Sequence, residues 1–285
     1  MSIYIWVIAH TNMPVLQLNK IFIKMSEGKK EILLGDCLEL MKDIPNGSID
    51  MILCDLPYGT TACKWDSIID LDLLWNEYKR VIKDDGAIVL TASQPFTTKL
   101  ISSNYEMFKY EWIWEKSKAS NFLQASYMPL KAHENILVFA KAKTKYNPQK
   151  TSGKPFNKGK DKRNGVATEV YQAIPNINGF EIVNESGLRN PRTVQYFVTA
   201  EREGKYHPTQ KPQLLFEYLI KTYTNENDIM LDNTAGSGTT AIACLNTNRQ
   251  FIVMEKEQKY YDIILKRVAD FNKNFEPQTL FGNEM

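Results

Sequence analysis

Short apolar runs alternate along this chain with longer stretches in which apolar positions recur every three or four residues. The short runs predict strands at Glu31–Leu34, Asp50–Cys54, Ala87–Thr91, Asp228–Leu231 and Gln250–Met254. The longer stretches predict helices over Leu38–Ile44, Leu71–Ile82, Phe96–Ser102, Leu214–Tyr223, Ser237–Asn246 and Tyr260–Phe271. Asp84-Asp85-Gly86 reads as the turn between one such helix and the next strand. Tyr110–Trp114 and Asn135–Phe139 are two further β segments, placed as a hairpin at the sheet edge. Strands alternating with helices predict a parallel α/β sheet.

Residues 141–206 break the pattern. They are rich in Lys, Asn, Gly and Pro, have weak periodicity and read as an insertion with short elements of its own. The resulting division is an N-terminal extension at 1–24, one half of the main domain at 25–140, the insertion at 141–206, the other half at 207–272 and a tail at 273–285.

The 285 residues carry a formal net charge of only +2. Its distribution is uneven. From Lys141 to Arg163 nine basic residues face one acid, Asp161, so this stretch holds +8 and the remainder −6. Taken alone, such a run fits a solvated loop. Beside a base-modifying site it fits a phosphate-contacting segment. Cys37, Cys54, Cys63 and Cys244 have neither metal-type pairing nor a secreted-style framework, and a reducing cytoplasm is their simplest home. No apolar stretch approaches a membrane span, and the apolar start Ile3–Ala9 lacks the basic region of a signal peptide.

Two segments carry chemistry. Asp232-Asn233-Thr234-Ala235-Gly236-Ser237-Gly238-Thr239-Thr240 lies between a predicted strand and helix, where glycines allow a tight turn and close backbone approach to a ligand. Glu255 ends the next strand and suits the two hydroxyls of a ribose. The third glycine of a dinucleotide fingerprint is missing, as is the Gly-Lys-Ser/Thr ending of a P-loop. A nucleoside ligand without a pyrophosphate, such as S-adenosylmethionine, fits better.

The second segment, Asp55-Leu56-Pro57-Tyr58, ends an apolar run. An exocyclic amine on a base is a poor nucleophile because its lone pair is delocalised into the ring. Acceptors against its two protons, the Asp55 carboxylate and the Leu56 carbonyl, would free that lone pair. Pro57 stiffens the turn, and Tyr58 offers a flat face for a base that must leave the duplex to reach it. Alone, the tetrapeptide also fits an ordinary turn closing a strand.

With both segments present in this order, the chain resembles the permuted, or beta-class, DNA amino-methyltransferases over roughly Glu31–Phe271. Asp55-Leu56-Pro57-Tyr58 matches their Asp-Pro-Pro-Tyr motif, with Leu56 for the first proline. Asp232–Thr240 matches their cofactor loop, with Asn233 and Thr234 departing from Pro and Phe. The resemblance implies a Rossmann-like fold: a mostly parallel seven-stranded sheet with helices on both faces, circularly permuted, carrying a target-recognition insertion.

The resemblance also implies S-adenosylmethionine as cofactor. Asp36 would contact its adenine, and Pro208, Thr209 and Lys211, within His207–Pro212, its methionine end. Asp55, Asp232, Asn233, Thr234, Ala235, Gly236, Ser237, Gly238, Thr239 and Glu255 complete that set. The implied reaction is site-specific methylation of adenine N6 on a flipped-out base. Cytosine N4 and a non-catalytic DNA-binding paralogue are the alternatives. Trp114-Glu115-Lys116 and His133-Glu134 also resemble the class near its base pocket, and equally fit edge packing and surface charge. Double-stranded DNA is the implied partner, with Lys154, Lys158, Lys160, Lys162, Arg163, Arg189 and Arg192 as candidate contacts. A homodimer and a cognate restriction endonuclease are further partners the class allows, in a bacterial or phage-encoded setting. No metal is required.

Overall fold

A computed structural model of the chain describes residues 29–59, 66–160, 181–204, 206–207 and 209–275. In chain order its elements are β1 (Lys30–Leu34), α1 (Cys37–Met41), β2 (Ile49–Asp55), α2 (Leu71–Val81), β3 (Ile82–Ala92), α3 (Phe96–Ser103), β4 (Phe108–Ser120) and β5 (Lys131–Phe139). There follow β6 (Phe156–Lys160), β7 (Glu181–Asn184), β8 (Val194–Phe197), α4 (Gln213–Tyr223), β9 (Ile229–Asp232), α5 (Thr239–Asn246), β10 (Gln250–Glu255) and α6 (Gln258–Phe275). Residues 1–24 and the tail from 276 lie outside the described residues.

The larger of two compact units holds the chain up to Asn147 and from Thr193 onward. Its sheet has the order β1-β10-β9-β2-β3-β5-β4-β8. Neighbours from β1 to β3 are parallel; β5 is antiparallel to β3 and β4, and β8 is parallel to β4. The sheet therefore has eight strands where the sequence predicts seven, because Val194–Phe197 from the polar segment adds a strand outside β4. That strand also moves the β4–β5 pair inward from the predicted edge.

Strand alternation decides which face each residue serves. On one face Met51, Leu53, Ala87, Val89, Phe251 and Val253 pack with α4, α5 and α6. On the other, Ile52, Cys54, Ile88, Leu90, Ile252 and Met254 pack with α1, α2 and α3. Both faces are covered, which explains the near-continuous apolar character of these strands.

Two features depart from the predicted elements. α2 passes directly into β3, and Ile49 pairs with Ile82 while Met51 pairs with Ala87, so the Asp84-Asp85-Gly86 signal marks an irregularity inside the ladder. Lys145, part of the basic run, inserts its ammonium between Asp50 at 2.8 Å and Asp228 at 2.9 Å. Asp50 is buried and also binds Lys83 and the Ile229 amide. Lys145 thus ties β2 to the start of β9 and is not the phosphate contact its neighbourhood suggests. Among the described residues, no helix is long and apolar enough to cross a membrane.

The second unit, Pro148–Arg192, lies inside the predicted insertion. It contains the antiparallel pair β6–β7 and a bridge between Thr151 and Arg189.

Candidate active site

The parallel strands end together on one edge of the sheet. From β9 the chain proceeds through α5 to β10 on one side; from β2 it proceeds through α2 to β3 on the other. This reversal opens a crevice at the carboxyl ends of β9 and β2, where open α/β sheets bind ligands. Met51 pairs with Met230 and Ile52 with Leu231, so the segments following Asp55 and Asp232 start side by side although 177 positions apart.

Asp55 ends β2 with its carboxylate surrounded by donors. Tyr58 Oη donates to Oδ1 at 2.8 Å, and Thr91 Oγ1, on the neighbouring β3, donates to the same oxygen. Lys211 Nζ donates to Oδ2 at 2.7 Å. Lys211 is itself buried and lies 3.4 Å from Glu134 Oε2 on β5, while Lys116 Nζ lies 3.3 Å from Glu134 Oε1. Burial opposes the charge on Lys211, but the Asp55 carboxylate, the Tyr58 oxygen and Glu134 outweigh it and hold the ammonium well above the ordinary lysine range. A carboxylate offers about four lone-pair sites. Protein donors among the described residues take three of them, which leaves room on Oδ2 for one further proton.

Tyr58 stacks on Phe96, at 5.3 Å between ring centroids, and Lys211 Nζ lies 5.5 Å from its centroid. Burial, followed by the adjacent Asp55 charge, pushes its hydroxyl well above the ordinary tyrosine range, so it stays a proton donor to Asp55. Leu56 is buried in the core beneath the turn, which accounts for an aliphatic side chain where the resembling class carries proline.

The glycine-rich loop is shaped from within. Asp232 is buried, accepts the Thr234 amide at 3.0 Å and takes the Thr240 hydroxyl. Burial pushes its carboxyl up to about 7, against the opposing effect of the Thr240 hydroxyl and Thr234 amide. Gly236 and Gly238 have φ of +52° and +80°. A Cβ on Gly238 would come within 2.9 Å of Ile264 on α6, whereas one on Gly236 would meet nothing closer than the His207 ring at 3.8 Å. Gly238 therefore serves packing, and Gly236 lines open space. Ser237 and Thr239 are buried, and the Ser237 carbonyl accepts from Arg267.

Both departures from the usual loop have a structural role. Asn233 Oδ1 accepts the hydroxyl of the fully buried Tyr78, and Cys54 Sγ lies 2.9 Å from the same oxygen. Thr234 Oγ1 donates to the Asp55 carbonyl at 3.1 Å. The loop is thereby tied to both α2 and the acid.

Glu255 ends β10 almost fully buried, with its carboxylate accepting the Gly236 and Glu257 amides at 2.8 Å each. Asp36 is exposed after β1 and caps α1 through the Leu38 amide. Leu34 pairs with Glu255, so the two acids share one end of the sheet. Thr209 donates through its amide to His207 Nδ1 at 3.2 Å, and the His207 ring packs 4.4 Å from Tyr260. Ala235 binds the Met254 carbonyl. This row combines acceptors for hydroxyls, a glycine with room beside it and, among the described residues, no cation clamp on Glu255. Its donor set fits a nucleoside with a ribose diol better than a pyrophosphate.

The predicted catalytic and cofactor-binding residues that lie among those described thus gather at one sheet edge, with Lys211 bound to Asp55. Pro208 lies outside the described residues. Sequence reasoning missed Thr91 and Phe96 and left Glu134 undecided. Thr91 ends a predicted strand and was open to the same reasoning as Asp55; the contact of Glu134 with Lys211 has no local signal.

In the second unit Lys154 and Lys158 are exposed, and Lys160 lies in β6. Arg189 stacks 4.7 Å from the Phe156 ring centroid and donates to the carbonyls of Gly187 and Lys154. As placed, it braces this unit from inside. Arg192 is exposed, and Lys162 and Arg163 lie outside the described residues.

Comparison with known proteins agrees with this geometry. The N6/N4 methyltransferase family model, described as DNA methylase, matches residues 49–266. Type II methyltransferase M.HpaI of Haemophilus parainfluenzae is 27% identical over 257 residues, 85% of this chain and 76% of that protein. DNA adenine methyltransferase YhdJ of Escherichia coli (strain K12) is 28% identical over 260 residues, 84% and 82% of the two chains. Among solved structures, the M1.HpyAVI–SAM complex superposes with a TM-score of 0.57 at 25% identity, covering 83% of this chain and 98% of that one. The cytosine-N4-specific PvuII DNA methyltransferase gives 0.61 at 15% identity, covering 89% of each chain, a likeness of fold.

Proposed function

Because the chain belongs to the N6/N4 DNA methylase family, we propose that it transfers a methyl group from S-adenosylmethionine to adenine N6 in double-stranded DNA. The observation that carries this reading is the junction of the two loops: the glycine-rich loop after β9 is hydrogen-bonded through Thr234 to the backbone of Asp55 itself. The family spans N6 and N4 amines, and the name of the adenine-directed relative at 28% identity favours N6.

S-adenosylmethionine, when bound, supplies a methyl group already activated by a sulfonium charge. Glu255, Asp36, Gly236, Thr209 and the loop Asp232–Thr239 are the residues that would hold it. Asp55 and the Leu56 carbonyl accept the two amine protons and localise the nitrogen lone pair. The target base sits beside Tyr58, whose ring is anchored by Phe96 and whose hydroxyl braces Asp55. Thr91 and Lys211 fix the carboxylate so that its remaining acceptor site is set before the base arrives. The displaced proton leaves from Asp55 to water after transfer.

Lys154, Lys158, Lys160, Lys162 and Arg163 supply phosphate contacts in this reading, and Arg192 reads a base edge. The homodimer and the cognate endonuclease belong to it as open partners, in a bacterial cytoplasm. Purified protein incubated with methyl-labelled cofactor and plasmid DNA tests the reaction. Label recovered as N6-methyladenine is expected; label only in N4-methylcytosine, or none, overturns it.

A further inference from the structure

The turn joining β4 to β5, residues 121–130, carries five large apolar side chains that the fold leaves in solvent. Phe122 is 75% exposed, Leu123 83%, Tyr127 69%, Met128 41% and Leu130 47%. The backbone here is ordered by its own hydrogen bonds. Asn121 adopts a left-handed φ of +67°, the Gln124 amide donates to the Asn121 carbonyl at 2.9 Å, and the Met128 amide donates to the Gln124 carbonyl at 3.0 Å. A folded turn that directs its aromatic and aliphatic groups outward is unusual on a soluble surface, and contiguous patches of this kind mark binding sites.

Its position narrows the occupant. β5 runs antiparallel to β3, with Asn135 opposite Ala92 and Ile136 opposite Thr91, so Ile136 stands level with Asp55 and Lys131–Asn135 run past it. Glu134, four residues past Leu130, contacts Lys211, which contacts Asp55. The turn therefore projects beyond the edge of the sheet that carries the site, at the far end of the strand segment Lys131–Asn135. Its charge points the same way: between Lys116 and His133 there are Lys116, Lys118 and Lys131 and no acidic residue. Lys116 is taken up inside by Glu134, so the flanking cations are Lys118, exposed and also paired with Glu201, and Lys131.

We propose that residues 121–130 are a wedge that enters DNA beside the target base, with Phe122 and Leu123 at its tip. An extruded base leaves a gap in the stack, and apolar side chains inserted at a base step stabilise such openings. The cationic flanks meet the adjoining phosphates. This rests on the base-flipping methyltransferase reading above.

The test uses two duplexes carrying a mapped methylation site. One is fully paired; in the other the target base faces an abasic position and is already unpaired. The double variant Phe122→Ala, Leu123→Ala is expected to lose about tenfold or more in kcat/KM on the paired duplex and less than about threefold on the unpaired one. Phe122→Trp, which keeps a flat apolar tip, should retain paired-duplex activity. Equal losses on both duplexes, or no loss on either, overturn the wedge. So does a change of the double variant from dimer to monomer in sedimentation with both duplexes affected alike, which would assign the patch to self-association. A wild-type protein inactive on both duplexes would instead remove the methyltransferase reading on which the wedge depends.

Discussion

The ammonium of Lys211 lies 2.7 Å from the Oδ2 of Asp55, across 156 positions of chain, with only 7% of its side chain exposed. An acid that must accept an amine proton has to be ionised and fixed in orientation. Lys211 fixes it from inside the protein, and Glu134 neutralises part of the excess charge from the other side.

Replacing Lys211 by Met should therefore affect the chemistry as well as the fold. Removing one partner of a buried pair leaves the other uncompensated, at about 3 kcal/mol or more. Without the cation the carboxylate loses its donor on Oδ2 and its fixed orientation, so kcat should fall by about tenfold or more, and Lys211→Arg should restore much of it. The pairing holds the folded pKa of Lys211 above its unfolded value. The stability it contributes is thus fully present below the ordinary lysine pKa and is lost only as pH rises through the raised one. An unchanged kcat in folded Lys211→Met would show that Lys211 only fills space.

The two loop glycines should fail differently. Gly238→Val forces a Cβ into Ile264 and should lower thermal stability by about 2 kcal/mol or more. Gly236→Ala meets open space, so it should cost the fold only the left-handed backbone penalty of about 1–2 kcal/mol, and Gly236→Val somewhat more, while both weaken cofactor binding. Calorimetric titration with S-adenosylmethionine alongside melting curves separates the two. Unchanged affinity in Gly236→Val contradicts the assignment of the loop.

Much of this was legible because its signals are local. Asp55, Gly236 and Glu255 each end or follow a strand whose apolar run is visible in the sequence, and their order along the chain suggested the class. The links between them were not legible. The Thr234–Asp55 bond, the Tyr78–Asn233 bond and the Lys211–Asp55–Glu134 chain join positions remote in sequence, through strand pairings the sequence does not display. Lys145 shows the converse. A run of like charges reports that cations are present and not where each one points, and this one points into Asp50 and Asp228. Val194–Phe197 was missed because a four-residue edge strand, half exposed, has too few alternations to register.

Asp232 gives a pH prediction with a definite sign. Burial raises its folded pKa to about 7, above the ordinary aspartate value. The folded state then holds the proton more tightly than the unfolded one, so this group's contribution is best at low pH and is lost as pH rises from about 4 to 7. Asp232→Asn is neutral throughout and can still accept the Thr234 amide. Its melting temperature relative to wild type should therefore climb between about pH 4 and 7 and level off above. A falling difference would contradict a buried, proton-holding Asp232.

Exposed cations of the second unit should act on DNA through charge alone. Lys154→Gln with Lys158→Gln should weaken duplex binding for any sequence and flatten the slope of log affinity against log salt by about 2. A slope that does not move would leave these residues as solvated surface.

The central claim is that Asp55 grips an adenine amine for methylation. Wild type and Asp55→Ala are expressed in a bacterial host lacking its own methyltransferases, and digested genomic DNA is analysed for modified nucleosides by mass spectrometry. The account predicts N6-methyladenine from wild type and a loss of about a hundredfold or more in the variant, while purified Asp55→Ala still binds S-adenosylmethionine. Methylation by the variant at near wild-type level, or wild-type DNA free of N6-methyladenine, would contradict it.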